Sequence, residues 1–460
     1  MDPTPHELLD ALQRDPYPLY ARARRTDGLT YVPALDAWLV ARDRDVREVL
    51  LRPEDFSSAQ ALRPDVMPSP AAFRVLAGGF GRRPTVVSTD GAAHRRYRAP
   101  LNRGLSAARV TALTAYAAEV ATGLLDTFAA EGHTELMSSY ARALPGAVIG
   151  RLIGLDPRDL PTAVRGGHRA EQLLFRPMEE REQIAAARDV VALHHLLDRY
   201  VRDRRARPRD DLCSTMVAAL APDDGPASEG LAPDDGLAPE GLAPDDGPVS
   251  EGLAPDDGPA AGSRPRPLPG PRPLPGSRPL TEDQRAELVS NLQNLLIAGH
   301  LTTTALIGTA LLHLLRHREQ WELLCARPDL IPGAVEEAAR YDTAVQGFRR
   351  TTTRPVVLSG TELPAGATVF VAYGSANRDE TRHPGADTFD ITRPATPTRH
   401  VSFGHGAHGC PGSRLARTQL RLTLELFTRR LPGLRLAEGQ EVAMSPTLIH
   451  RSPEALHLTW

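Results

Sequence analysis

One loop in this sequence has the residue types and spacing of a ligand site: Ser402-Phe403-Gly404-His405-Gly406-Ala407-His408-Gly409-Cys410-Pro411-Gly412. Gly404, Gly406, Gly409 and Gly412 let the backbone turn tightly and come close to a flat ligand, where side chains would intervene. The amphipathic run Arg414 to Arg430 begins just afterwards. Cys410 therefore stands at a helix start, where free N–H groups and the helix dipole favour negative charge and lower a thiol's pKa. The chemistry on offer is that of a thiolate. Taken alone, a free cysteine is more often a small buried hydrophobe.

Other polar residues are paired at helical spacing. His94 and Arg98, at i and i+4 in Asp90-Gly91-Ala92-Ala93-His94-Arg95-Arg96-Tyr97-Arg98, can point the same way from one helix. On spacing alone they fit a solvated charged face as well as a ligand. Glu337 and Arg340, at i and i+3, share a helix face, a pairing worth little if exposed. Thr302, in Ala298-Gly299-His300-Leu301-Thr302-Thr303, lies in an apolar helix, where a threonine ordinarily bonds back to the i−4 carbonyl, here that of Ala298.

These residues need positioning elements. The pattern predicts strands at Thr30 to Val32 and Ala37 to Val40, then helices over Asp43 to Leu51, Val110 to Phe128 and Ile184 to Tyr200. Thr281-Glu282-Asp283-Gln284 reads as a helix cap preceding an apolar helix through His317. Between residues 220 and 280 the composition changes: Leu-Ala-Pro-Asp-Asp-Gly recurs at Leu220, Leu231, Leu242 and Leu253, and Arg-Pro-Leu-Pro-Gly at Arg266 and Arg272. Repeats can stack as a solenoid. These carry too little apolar surface and too much proline and glycine, so they read as a disordered linker interrupting one domain. The minority reading is a docking tail for a partner such as a proline-recognition domain.

With 460 residues, 41% of them apolar, the chain can build a large core. A net charge of −3 gives no general attraction to nucleic acid or an acidic membrane. Cys213, Cys325 and Cys410 are too few and scattered for a disulfide framework and lack zinc spacing, which suits a reducing cytoplasm. The N-terminus has no signal pattern, and no later apolar run reads as long and clean enough to span a bilayer. A soluble, cytoplasmic protein is expected.

The spacing Phe403-x-x-Gly406-x-His408-x-Cys410-x-Gly412 resembles the haem-ligand loop of the cytochrome P-450 superfamily at every defining position. The resemblance spans nearly the whole chain outside the repeat. It implies a mainly α fold with small β-sheets, one domain over 1–460 with an insert at 220–280, and haem b between the Thr302 helix and the Cys410 loop. Cys410 would be the axial thiolate to iron, which favours O–O cleavage. Phe403 would pack near the sulfur, with Gly404 and Gly412 beside the cofactor. His94, Arg98, Arg350 and His408 would meet the haem propionates through charge-assisted bonds. Glu337, Arg340 and Arg393 would form a structural triad behind the haem, and Ala376-Asn377-Arg378-Asp379 a further structural segment. Ala298 and Gly299 would border an oxygen-binding groove, with Thr302 supporting proton delivery.

The implied activity is a monooxygenase that inserts one oxygen atom from dioxygen into a C–H or C=C bond. Electrons would come from NAD(P)H through a separate ferredoxin or flavodoxin with its reductase, docking near Arg95, Arg96, Arg414 or Arg417. By analogy with soluble bacterial relatives, a monomeric enzyme tailoring a secondary metabolite, free or carrier-protein-bound, is expected. Apolar residues that could surround the substrate are Met67, Phe73, Leu76, Phe80, Leu173, Leu174, Phe175, Leu295, Ala298, Val345 and Leu448, which points to a largely apolar small molecule.

Leu301 departs from the pattern, standing where the family usually has Asp or Glu. Leucine can neither relay nor orient protons. Three explanations stand open: a substrate group supplies the missing function, water with Thr302 suffices, or the enzyme performs oxidative coupling, desaturation or a peroxide-driven reaction. A haem-binding carrier or sensor without turnover is the rival of another class, and a scaffolding role for the repeat would be additional.

Overall fold

The computed structural model describes residues 9, 12–222, 278–394 and 400–460. The helices that frame the site are, in chain order, α1 (Asp43–Leu51), α2 (Gly91–Gly104), α3 (Ala107–Asp126), α4 (Ala143–Ile153), α5 (Leu160–Phe175), α6 (Glu180–Ala206), α7 (Leu212–Leu220), α8 (Glu282–Arg316), α9 (Ile331–Tyr341) and α10 (Ser413–Arg430). The strands are β1 (Thr30–Val32), β2 (Ala37–Val40), β3 (Phe56–Ser57), β4 (His133–Glu135), β5 (Gly347–Thr352), β6 (Val356–Leu358), β7 (Thr361–Leu363), β8 (Thr368–Ala372), β9 (Arg435–Leu436) and β10 (His457–Thr459). The fold is mainly helical with small sheets, and β1, β2 and α1 have the predicted bounds. The helix around Val110, α3, starts three residues earlier and ends two residues earlier than expected, and α6 extends beyond Ile184 and Tyr200 at both ends.

α8 is the spine. Thr281 Oγ1 accepts from the Gln284 N–H at 3.2 Å, and Gln284 Oε1 accepts from the Thr281 N–H at 3.0 Å. That reciprocal cap satisfies two otherwise orphaned donors and starts the helix where the sequence predicts. α8 corrects one expectation, because it is long and apolar enough to cross a bilayer. Yet 78% of its apolar window is buried within the fold. It packs against α4, α5, α6, α9 and α10, and its side chains join theirs in one continuous core, as a helix apolar nearly all round requires.

The larger sheet has the order β1-β2-β8-β5-β3. β2 and β8 run parallel and the other pairs antiparallel. β8, with Val369, Phe370 and Val371, is buried along most of its length, as expected of a central strand rich in β-branched and aromatic residues. It fixes the register of β5, setting Arg349 opposite Phe370 and Arg350 opposite Val369. Successive strand side chains face opposite ways. Arg349 accordingly reaches Asp65 at 2.6 Å, whereas Arg350 turns into the cavity described below.

Most of the repeat lies outside the described residues. Its predicted boundary needs correction: Leu220 closes α7, and Leu220 and Ala221 are buried in the main core. Arg205, on α6, donates to the Ala221 carbonyl at 2.7 Å and to the Arg278 carbonyl at 3.1 Å. One guanidinium therefore holds both ends of the insert.

Candidate functional site

The Cys410 loop is folded by its own backbone. The Cys410 N–H donates to the Phe403 carbonyl at 2.7 Å, the Gly409 N–H to Gly406 at 3.0 Å and the Gly404 N–H to Val401 at 2.9 Å. Two glycines are obligatory: Gly404 and Gly406 have φ of 72° and 65°, and a Cβ on Gly406 would lie 2.5 Å from the Leu50 carbonyl of α1. Gly412 is the N-cap of α10. Asn377 braces the loop, accepting from the Val401 N–H and donating to Ser402 Oγ, each at 2.8 Å.

Cys410 opens onto a cavity of about 280 Å³. A single water needs only about 10–15 Å³ on such a measure, so this is a built site and not a packing void. Although the sulfur faces that space, it lies deep in the protein. Desolvation pushes the free thiol above its ordinary pKa, against the pull of the Gly412 N–H, Arg98 and Arg417. The helix start predicts a lowered thiol pKa; for the free thiol burial outweighs the Gly412 N–H and the two arginines, and the shift runs upward. A bound cation would reverse this, since coordination deprotonates a thiol outright.

His94, Arg98, Arg350 and His408 line the same cavity. The His94 and His408 rings lie 4.2 Å apart. Burial, with His408 and Arg98 nearby, pushes His94 down to about 4, so its imidazole is neutral at pH 7. Among the described residues its Nε2 is buried without a partner, which costs about 1–3 kcal/mol unless a ligand satisfies it. His408 Nε2 is already engaged by Ser58 Oγ at 3.0 Å and lies 3.4 Å from Asp90 Oδ1. Asp90 was not anticipated as a partner. Burial alone would raise its pKa, but bonds from His408, Ser57 and Ser58 hold it down at about 2. A thiol on one wall, an orphaned imidazole nitrogen and two arginines at the edge form a donor set that fits haem b and its carboxylates.

The opposite wall is α8. Ala298, Gly299, Thr302, Thr303 and Leu306 line the cavity. Thr302 Oγ1 donates to the Ala298 carbonyl at 2.7 Å, the local bond predicted, which leaves its lone pairs as acceptors. Gly299 has a second reason to be glycine, because a Cβ there would meet Ile149 Cδ1 of α4 at 2.5 Å. His300 cannot substitute for the missing acid. Its Nε2 is 3.0 Å from the Arg142 carbonyl, and burial pushes its pKa down to about 4.

Leu174, Phe175, Leu295, Ala298 and Val345 line the cavity as expected. Phe73, Phe80 and Leu448 do not. Phe73 is 47% exposed and Met67 66%. Phe80 lies beneath the Arg285 guanidinium, 5.2 Å from its ring centre, while Leu448 packs in a separate core with Tyr20 and Phe370. Leu76 packs with Leu173 in a further cluster. Further apolar lining includes Leu62, Val86, Ile149 and Leu152, which no local pattern singled out.

Glu337 and Arg340 form a doubly bonded pair at 2.7 and 2.8 Å, fully buried where the spacing alone suggested a surface pair. Arg340 also donates to the Asn377 and Ala386 carbonyls at 2.8 Å, and Arg393 Nε lies 3.2 Å from Glu337. Among the proposed docking arginines, Arg417 is committed inward, bonding Glu336 at 2.6 and 2.9 Å and stacking on Phe403 at 4.2 Å. Arg96 pairs with Glu287. Arg95 and Arg414 are exposed.

Comparison with known proteins agrees with this geometry. A family model described as Cytochrome P450 matches residues 329–447. Cytochrome P450 107B1 of Saccharopolyspora erythraea is 30% identical over 438 residues, covering 94% of this chain and 91% of that protein. Mycinamicin IV hydroxylase/epoxidase of Micromonospora griseorubida is 29% identical, covering 92% and 90%. Among solved structures, cytochrome P450 CREJ in complex with (4-ethylphenyl) dihydrogen phosphate superposes with a TM-score of 0.79 at 27% identity, covering 97% of both chains.

Proposed function

The chain belongs to the cytochrome P450 family, haem b enzymes that incorporate oxygen using electrons from redox partners, and from that premise we propose that it hydroxylates or epoxidises a small, largely apolar molecule in a secondary-metabolite tailoring step. The observation that most supports this is that Cys410 and Thr302 line one mainly apolar cavity. In the proposed reaction one atom of dioxygen enters the substrate C–H or C=C bond, and the other leaves as water with two electrons from NAD(P)H and two protons. Haem b supplies the oxygen-activating chemistry when bound. Cys410 would ligate its iron, while His94, Arg98 and Arg350 would bind its carboxylates. The wall of Leu152, Leu174, Leu295 and Phe175 would hold the substrate and exclude bulk water.

With Leu301 at the acid position and His300 turned to the Arg142 carbonyl, proton supply falls to Thr302 with water or to a group on the substrate. Turnover in isotopically labelled dioxygen tests the reading: one labelled atom per product molecule is expected, and a product lacking it would overturn oxygen insertion. Leu301→Glu should then raise product formed per reductant consumed. The second reading, oxidative coupling or desaturation, is favoured by Leu301 itself, and peroxide supporting turnover would strengthen the peroxide-driven form.

We further read the chain as one cytoplasmic, monomeric catalytic unit, with a ferredoxin or flavodoxin docking near Arg95 and Arg414. Reduction should slow as salt rises, because exposed charge pairing is screened.

A further inference from the structure

The charged side chains that line the cavity fall into two groups. His94, Arg98, Arg350 and His408 make the edge assigned above to the cofactor; Glu171 and His450 are the others. Glu171, on α5, is 6% exposed, and its Oε1 lies 3.1 Å from His450 Nδ1. An ionised carboxylate only accepts hydrogen bonds, so Nδ1 carries the proton in this pair. Among the described residues Glu171 Oε2 has no hydrogen-bond partner.

The mount is rigid. The His450 N–H donates to Thr447 Oγ1 at 3.0 Å, and the Thr447 hydroxyl donates to the His450 carbonyl at 2.8 Å. The flanking backbone is tied to the start of β5, with the Gln346 N–H on the Ile449 carbonyl at 2.7 Å and the Arg451 N–H on Ala344 at 3.0 Å. Among the described residues no other acidic side chain lines this cavity. A buried carboxylate in apolar surroundings is costly unless it is paired, and His450 occupies only one of its oxygens.

We propose that Glu171, held by His450, is a substrate anchor that selects small apolar molecules carrying a protonated amine. The free carboxylate oxygen accepts the ammonium N–H, and the apolar wall takes the hydrocarbon body. The polar contact fixes which carbon approaches the cofactor, as a few placed polar groups do in an apolar pocket. This rests on the functional reading above and narrows its substrate class from apolar to apolar and basic. It also places an ionisable substrate group in the cavity where Leu301 leaves none on α8.

The test titrates haem-loaded protein with N,N-dimethyldecylamine, decanol and decanoate, following the haem absorption band and, independently, heat of binding. The amine should bind about ten-fold or more tighter than the alcohol and the acid, the range of a charge-assisted hydrogen bond. Glu171→Gln should abolish that preference while decanol affinity changes by less than about two-fold. Decanoate binding as tightly as the amine, no binding of the amine, or a preference that survives Glu171→Gln would overturn the proposal. The wild-type series decides even if the variant fails to fold. Failure of the underlying reading is seen separately, as a turnover product that carries no atom from labelled dioxygen.

Discussion

The wall carrying Cys410 and the wall facing it are built by different means. On the cysteine side one continuous segment, 402–412, supplies Cys410, the tight turns and the backbone bonds that hold them. Behind it the Glu337–Arg340–Arg393 cluster and the Asn377 brackets fix that segment to α9. The facing wall is assembled from α4, α5, α8 and the loop around His450, and its one acid–histidine contact joins residues 279 positions apart. A wall made from one segment is fixed in shape by local geometry. A wall made from many segments can exchange individual side chains without disturbing the other side.

Variants can break that contrast, and the largest effect should come from Cys410→Ala. It should abolish the thiolate-ligated carbon-monoxide spectrum and product formation altogether while the circular dichroism of the helical fold persists. Loss of the fold as well would show that the two walls are not separable. Arg340→Ala leaves Glu337 buried without its partner, and removal of one member of a buried pair costs about 3–5 kcal/mol. Denaturant unfolding should register that loss, and a change under about 1 kcal/mol would remove the triad from the rigid wall.

The next effect depends on pH. His400 and Arg417 hold Glu336 at about 2, below its ordinary 4.5, even though burial alone would raise it. A depressed carboxyl stabilises the folded state above its unfolded pKa, and the contribution disappears as pH falls from about 4.5 through about 2. Acid titration of unfolding should therefore show a loss on the order of 3 kcal/mol across that window, flattened in Glu336→Gln. Arg98→Ala should have the smallest effect, speeding haem loss to apomyoglobin about ten-fold with stability of the apoprotein unchanged. An unchanged transfer rate would remove Arg98 from the carboxylate-binding edge.

What could be read in the sequence follows the same divide. The Cys410 loop, the Thr281 cap and α1 were legible because their determinants are contiguous. The register of β5 was not, so the opposite destinations of Arg349 and Arg350 emerged only when β8 was placed beside them. Asp90 and Ser58 were missed as partners of His408, as was the Glu171–His450 pair, because no local pattern marks contacts between distant segments. Phe73, Phe80 and Leu448 were placed at the cavity on apolar character alone. That property identifies a residue that needs cover without saying which neighbour provides it.

Arg205, which holds both ends of the insert, has a consequence for engineering. Once the carbonyls of Ala221 and Arg278 meet on one side chain, the surrounding core experiences a fixed doorway whatever passes through it. Doubling the length of a flexible connection costs only about 0.6 kcal/mol in closure entropy. The position is thus a natural graft point, where a fluorescent reporter or an electron-carrier module could be spliced in while the catalytic chamber keeps its shape.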